Sequence, residues 1–237
     1  RSTPLYSSAA SDVYKRQALT DSVQLTRHAV QLGCRGVLML PPFYYKNVSV
    51  EGLFRAFSEV IEQVADDALK VYLYHIPPVS GVPLDLSLVE RLTETYPNFV
   101  IGLKDSSGKW SYTETLLRSY PKFQVFSGTE EFLRKNLIAG GCGTITAVAN
   151  VNASAIRAAY DNFQNKKGED NQLAITRRRK IIQSQPMIPA LKSIIATITG
   201  DDNWRRVRPP LEPLSISNTN SLVQSLAEDG YLSISSL

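Results

Sequence analysis

Val100-Ile101-Gly102-Leu103-Lys104-Asp105-Ser106-Ser107-Gly108 is an apolar run that ends abruptly in a lysine and then in a polar, glycine-containing turn. Four consecutive apolar or small residues predict a strand buried on both faces, the kind found in parallel sheets, with no solvated side on which a charge could rest. Lys104 therefore falls at the strand's carboxyl end. In an α/β barrel that end is where loops gather substrates, and a lysine held there in partly apolar surroundings can lose its proton near neutral pH. A neutral amine attacks a ketone to give an imine. The protonated imine draws electrons from the neighbouring carbon, so that a carbon–carbon bond can form or break. The competing reading is a lysine that caps the strand and extends to water.

The pattern around this stretch repeats. Apolar runs at 36–40, 71–76, 124–127 and 143–148 read as further strands, and amphipathic stretches at 20–32, 50–65, 86–95, 112–119 and 130–139 as helices between them. Such alternation with short connections predicts a parallel sheet with helices outside it. After Asn152 the periodicity is helical throughout, at 153–163, 171–182, 187–198 and 220–228. Residues 1–17 show neither period and read as a non-native or disordered tail. The expected organisation is thus a tail over 1–17, a partial (β/α) barrel over 18–151 and carboxyl-terminal helices over 152–237. Buried strand positions should include Leu38, Leu40, Val71, Leu73, Ile101, Leu103, Val125, Ile145 and Ala147.

Composition narrows the function classes. The 237 residues are 43% apolar with a formal charge of +4, and no apolar run approaches the roughly 18 residues that span a bilayer. The one dense basic run, Arg177-Arg178-Arg179-Lys180, lies in a helical stretch and reads as a solvated face rather than a nucleic-acid surface. Cys34 and Cys142 fit no Cys-x-x-Cys pattern and read as buried free thiols of a reducing compartment. His28 and His75 are too few for a metal cluster. No metal and no cofactor is expected, and the location expected is cytoplasmic.

The strand before the lysine strand ends in Tyr74-His75-Ile76-Pro77-Pro78, which places a phenol at the same face. A tyrosine there can protonate the carbinolamine oxygen during imine formation. The plainer alternative is a ring that packs in the barrel mouth with its hydroxyl to water. Two strands before the lysine lies Pro41-Pro42-Phe43-Tyr44-Tyr45. With Ser127-Gly128-Thr129-Glu130-Glu131 and Gly140-Gly141-Cys142-Gly143-Thr144-Ile145-Thr146, these five motifs in order and spacing resemble the dihydrodipicolinate synthase and N-acetylneuraminate lyase family, from about Leu19 to Leu214.

The resemblance implies a TIM (β/α)8-type barrel and a lyase of the class I aldolase type, in which Lys104 forms a Schiff base with pyruvate or a sugar-derived 2-oxo acid. It matches Tyr74 to the family's proton-shuttling tyrosine and Tyr44 to the tyrosine that reaches a neighbouring subunit's site, so a homo-oligomer is expected. Ile145 matches the residue whose backbone carbonyl faces the site. Gly128, Glu130 and Glu131 match positions that contact the acceptor's hydroxyls, and Ser106 lines the approach to Lys104.

The departures carry weight too. The family's first three strands, with the threonine-bearing loop that holds the 2-oxo acid carboxylate, have no counterpart before Thr20, which predicts an amino-terminally truncated, incomplete barrel of about five strands. Where the dihydrodipicolinate branch carries an arginine after Tyr-x-x-Pro, this chain has Val79, which disfavours that synthesis. The alternatives are dehydration of a keto-deoxy sugar acid on the same lysine, or a non-catalytic barrel fragment. A phosphate site at the 140–143 glycines is disfavoured, because that cluster precedes a strand rather than following one.

Overall fold

In the computed structural model, which describes residues 10–12 and 18–232, four of the five expected strands are parallel neighbours in one sheet. They are β2 (Gly36–Met39), β3 (Val71–His75), β4 (Val100–Asp105) and β5 (Gln124–Ser127). A further strand, β1 (Ala10–Asp12), pairs in parallel with β2. It lies inside the segment that the sequence pattern set aside as a tail; the rest of that segment lies outside the described residues. The helices between the strands are α1 (Leu19–Gln31), α2 (Val50–Val64), a single turn α3 (Pro77–Ser80), α4 (Leu86–Thr95) and α5 (Trp110–Ser119).

These elements, with the return segment Ala139–Cys142, make one of two compact units. Its core is one face of the sheet against the helices: Val37, Met39, Val71, Leu73, Val100, Leu103 and Val125 pack with Leu53, Phe57, Val60, Leu88 and Leu116. Helix α2 shows how the sequence encodes this. Leu53, Phe57, Val60, Ile61 and Val64 recur on one helical face and are all buried, and the Ser49 side chain caps the start by accepting from the Gly52 amide at 3.1 Å.

Burial on both faces of the lysine strand is not what the structure shows. β3, β4 and β5 instead alternate between buried and half-buried positions, so the sheet's second face is the more open one. Ile101 is accordingly half-buried, and Leu40 lies just past the end of β2, also half-buried.

The second unit spans Thr129–Ile138 and, within the described residues, 143–232. It contains a 3-10 turn (Glu130–Phe132), α6 (Leu133–Ile138), β6 (Gly143–Thr144), α7 (Ala149–Asp161), α8 (Lys166–Gln183), α9 (Met187–Thr199), a second 3-10 turn (Asp202–Arg205) and α10 (Ile216–Glu228). Leu133, Leu137, Ile156 and Ile175 form one apolar cluster, and Ile182, Ile194, Leu222 and Leu226 belong to another. The strand expected over 143–148 stops after Thr144. The Thr146 hydroxyl is drawn to Glu130 at 2.6 Å, and the amides of Val148 and Ala149 turn back onto Thr146. These bonds compete with a ladder and win. Ile145 is therefore half-buried and Ala147 exposed, neither of them in a strand.

Candidate active site

β4 carries one residue more than β3 where they pair: Val71 faces Val100, but Tyr72 faces Gly102, leaving Ile101 as a bulge. Side chains alternate along a strand, so one extra residue inverts everything after it. Val100 and Leu103, three apart, both reach the helix-facing core because the bulge lies between them. Lys104 is thereby aimed at the open face, in register with Tyr74, and its amine sits 4.1 Å from the centroid of the Tyr74 ring. A cation over a tyrosine face is held electrostatically, so the ring fixes where the amine stands.

One layer below on the same face, Tyr72 donates from its hydroxyl to Gln124 Oε1 at 2.7 Å, and its ring meets Phe126 edge-on at 5.8 Å. Burial, reinforced by Cys142, pushes the Tyr72 phenol above its ordinary range, so it remains a donor. Gly102 is required here, because a Cβ would lie 2.6 Å from the Tyr72 ring and closer still to the Gln124 carbonyl. Phe126 is the register partner of Lys104 on its other side. The amine thus has an aromatic floor.

At the strand ends, the Ser106 amide donates to the His75 carbonyl at 2.7 Å and the Gly128 amide to the Asp105 carbonyl at 2.6 Å. A side chain at position 128 would collide with Ser106, so Ser106 and Gly128 form one close-packed rim. On the helix-facing side, directly behind Lys104 and Tyr74, lie Asp105 and His75, to which the sequence pattern assigned no role. Asp105 is 5% exposed; its carboxylate accepts from the Thr113 hydroxyl at 2.6 Å and the Ser107 amide at 2.8 Å. The signal was present in Lys-Asp-Ser-Ser, where a short acidic side chain precedes a turn whose amides it can bind.

Tyr44 is on the loop after β2, 75% exposed, with its ring edge-on to Tyr45 at 5.2 Å. The Lys46 ammonium ties that loop down by donating to the Phe43 carbonyl and, at 2.8 Å, to the Ser80 carbonyl.

The remaining candidates belong to the second unit. Glu130 is fully buried. Its Oε2 accepts from Thr146 and, at 3.3 Å, from Arg179 Nη1, while Oε1 has no hydrogen-bond partner among the described residues. Glu131 is half-buried beside Thr129, and Ile145 sits between Thr144 and Thr146.

The basic run is not a free solvated face. Arg177 and Arg178 each donate to Asp229 at 2.9 Å, Arg178 also lies over the Tyr231 ring, and Arg179 holds Glu130. Cys34 and Cys142 are half-buried rather than buried. Among the described residues no group of three His, Cys, Asp or Glu side chains is placed to hold a metal, and no helix is long and apolar enough to cross a membrane.

Comparison with known proteins adds four findings. A model of the dihydrodipicolinate synthetase family matches residues 16–229. An uncharacterized DapA-like lyase of Chloroflexus aurantiacus is 35% identical over 201 residues, covering 84% of this chain and 66% of the relative. A putative 2-dehydro-3-deoxy-D-gluconate aldolase of Escherichia coli is 28% identical, covering 82% of this chain and 65% of the relative. This chain thus spans about two thirds of the length of these curated relatives. The crystal structure of dihydrodipicolinate synthase from Agrobacterium tumefaciens superposes with a TM-score of 0.83 at 33% identity, over 92% of this chain and 74% of that one. The TIM-barrel-type fold that the resemblance implies is borne out by that likeness.

Proposed function

The chain belongs to the dihydrodipicolinate synthetase family, and on that premise we propose that it is a Schiff-base lyase acting on pyruvate or a sugar-derived 2-oxo acid. The observation that carries the reading is the placement of Lys104 against the Tyr74 ring on the open face of the sheet.

The Lys104 amine adds to the ketone carbon of the 2-oxo acid, giving a carbinolamine. Tyr74 delivers a proton to the carbinolamine oxygen, water leaves, and a protonated imine remains. Loss of a proton from the adjacent carbon gives the enamine, which adds to an aldehyde to form the new carbon–carbon bond; the reverse sequence cleaves it. Ser106 and Gly128 shape the mouth. Tyr44, exposed beside Tyr45, is the residue for a neighbouring copy in a cytoplasmic homo-oligomer.

Cleavage of a sugar-derived acid is favoured over dihydrodipicolinate synthesis, because Val79, where a carboxylate-binding arginine would stand, is apolar and 77% exposed. The Escherichia coli relative's designation as a putative keto-deoxy sugar acid aldolase points the same way. Dehydration of such an acid on the same lysine is the second reading.

Borohydride added with pyruvate should fix one adduct on Lys104, and Lys104→Ala should abolish it. Labelling that survives Lys104→Ala, or that spreads over Lys46, Lys109 and Lys192, overturns the assignment.

A further inference from the structure

One step beyond Tyr74 and Lys104, the next register partners are His75 and Asp105, on the helix-facing side of the sheet. His75 is 4% exposed, and its Nδ1 accepts from the Leu84 amide at 3.0 Å. Its ring stacks on Tyr112 at 4.1 Å and 15°, and the Tyr112 hydroxyl donates to the Leu84 carbonyl at 2.6 Å. Two side chains thus grip both polar groups of one buried residue. Leu84 sits near the end of the connection between β3 and α4, residues 76–85. Ser80 folds the same connection, donating to the Ile76 and Val82 carbonyls, and Lys46 hangs the Tyr44 loop from the Ser80 carbonyl.

A ring nitrogen that accepts a backbone N–H carries no proton, so the imidazole is neutral with its hydrogen on Nε2. The groups that face it are Asp105 on β4, Asp85 ahead of α4, Lys109 ahead of α5, and Tyr112 on α5. Burial lowers the His75 pKa from its ordinary 6.5 and outweighs the upward pull of Asp105 and Asp85; Lys109 adds to the lowering. Asp105 is already engaged by Thr113 and Ser107.

We propose that His75 is a positioning residue whose neutral imidazole latches residues 76–85 to the carboxyl end of β3, and that protonation of Nδ1 expels the Leu84 amide and releases the segment. Release loosens the strand end that holds Tyr74 and the loop that carries Tyr44. The latch itself stands on geometry; only its catalytic consequence rests on the Schiff-base reading.

The test is nuclear magnetic resonance on the full chain between about pH 7.5 and about pH 5. His75 should show the Nε2–H tautomer at the upper end. The exchange protection of the Leu84 amide should fall roughly tenfold as His75 takes up its proton, while that of Ile61 in α2 holds. His75→Asn, whose amide oxygen can take the place of Nδ1 without titrating, should keep Leu84 protected throughout; His75→Leu should lose protection at every pH. In parallel, the ratio of pyruvate trapping in wild type to that in His75→Asn should fall on acidification.

Leu84 protection that stays constant while His75 titrates, or that falls equally in His75→Asn, overturns the latch. If His75→Leu does not fold, the first two proteins decide. If no variant traps pyruvate at neutral pH, the Schiff-base reading fails and the amide result still judges the latch.

Discussion

The Lys104 amine lies over the Tyr74 ring at 4.1 Å from its centroid, and the two residues are direct register partners on adjacent strands. Tyr74 therefore offers two things: a ring face that holds the amine and a hydroxyl that moves protons. They separate by substitution. Tyr74→Phe should keep the label on Lys104 and slow borohydride trapping by about 10²–10⁴-fold, the usual worth of acid–base assistance. Tyr74→Leu should slow it further, because the ring face goes too. Equal rates in the two variants would show that the ring face contributes nothing.

The bulge at Ile101 is what turns Lys104 to the open face. Deleting Ile101 removes the extra residue, so Val100 and Gly102 pair with Val71 and Tyr72 in simple alternation, Lys104 stays opposite Tyr74 on the open face, and trapping should survive. Ile101→Val, which keeps the residue count, should trap normally. Trapping lost on the deletion would show that the bulge does more than set which face Lys104 takes.

Strand ends were readable from the sequence because apolar runs stop at polar turns, and this placed Lys104, Tyr74 and Ser106 correctly at one end of the sheet. The bulge was not readable, since Ile101 is one more apolar residue in an apolar run. Nor were the partners of Arg178 and Arg179. Asp229 lies 51 residues from Arg178 and Glu130 lies 49 from Arg179, so only the folded chain brings them together. The strand expected over 143–148 stops short for the same reason: its alternation is sound locally, but Thr146 bonds to Glu130, 16 residues away. β1 has no apolar period at all and is known only by its pairing.

Glu130 and Arg179 test what holds the second unit. Arg179→Met leaves the fully buried Glu130 carboxylate without its cation, and breaking a buried pair this way costs about 3–5 kcal/mol. Glu130→Gln keeps an oxygen for Thr146 and removes the charge, so it should cost less. Urea unfolding of the two variants checks the order; a larger loss in Glu130→Gln would contradict it.

Gly102 tests the floor beneath the amine. Gly102→Ala forces a Cβ against the Tyr72 ring and the Gln124 carbonyl, and overpacking of this kind costs about 1–3 kcal/mol. Tyr72→Phe loses only the bond to Gln124, about 1 kcal/mol. Thermal unfolding should therefore rank Gly102→Ala below Tyr72→Phe, and the reverse ranking would mean that the sheet relaxes around the methyl group.

His75 gives stability a pH dependence whose sign follows from its depressed folded pKa. The unfolded chain takes up a proton on this histidine at a higher pH than the folded chain does, so the unfolded state binds more protons and stability falls as the medium is acidified. The contribution is complete above 6.5, is lost progressively as the pH drops below that value, and levels off under the folded pKa. The chain's other histidine, His28, is exposed. Denaturant unfolding of wild type and His75→Asn, followed from about pH 7.5 down to about pH 5, separates the two proteins. Their stabilities should change in parallel above 6.5 and diverge below it, wild type losing more. Parallel curves across the whole range would show that burial of His75 imposes no penalty on its charged form.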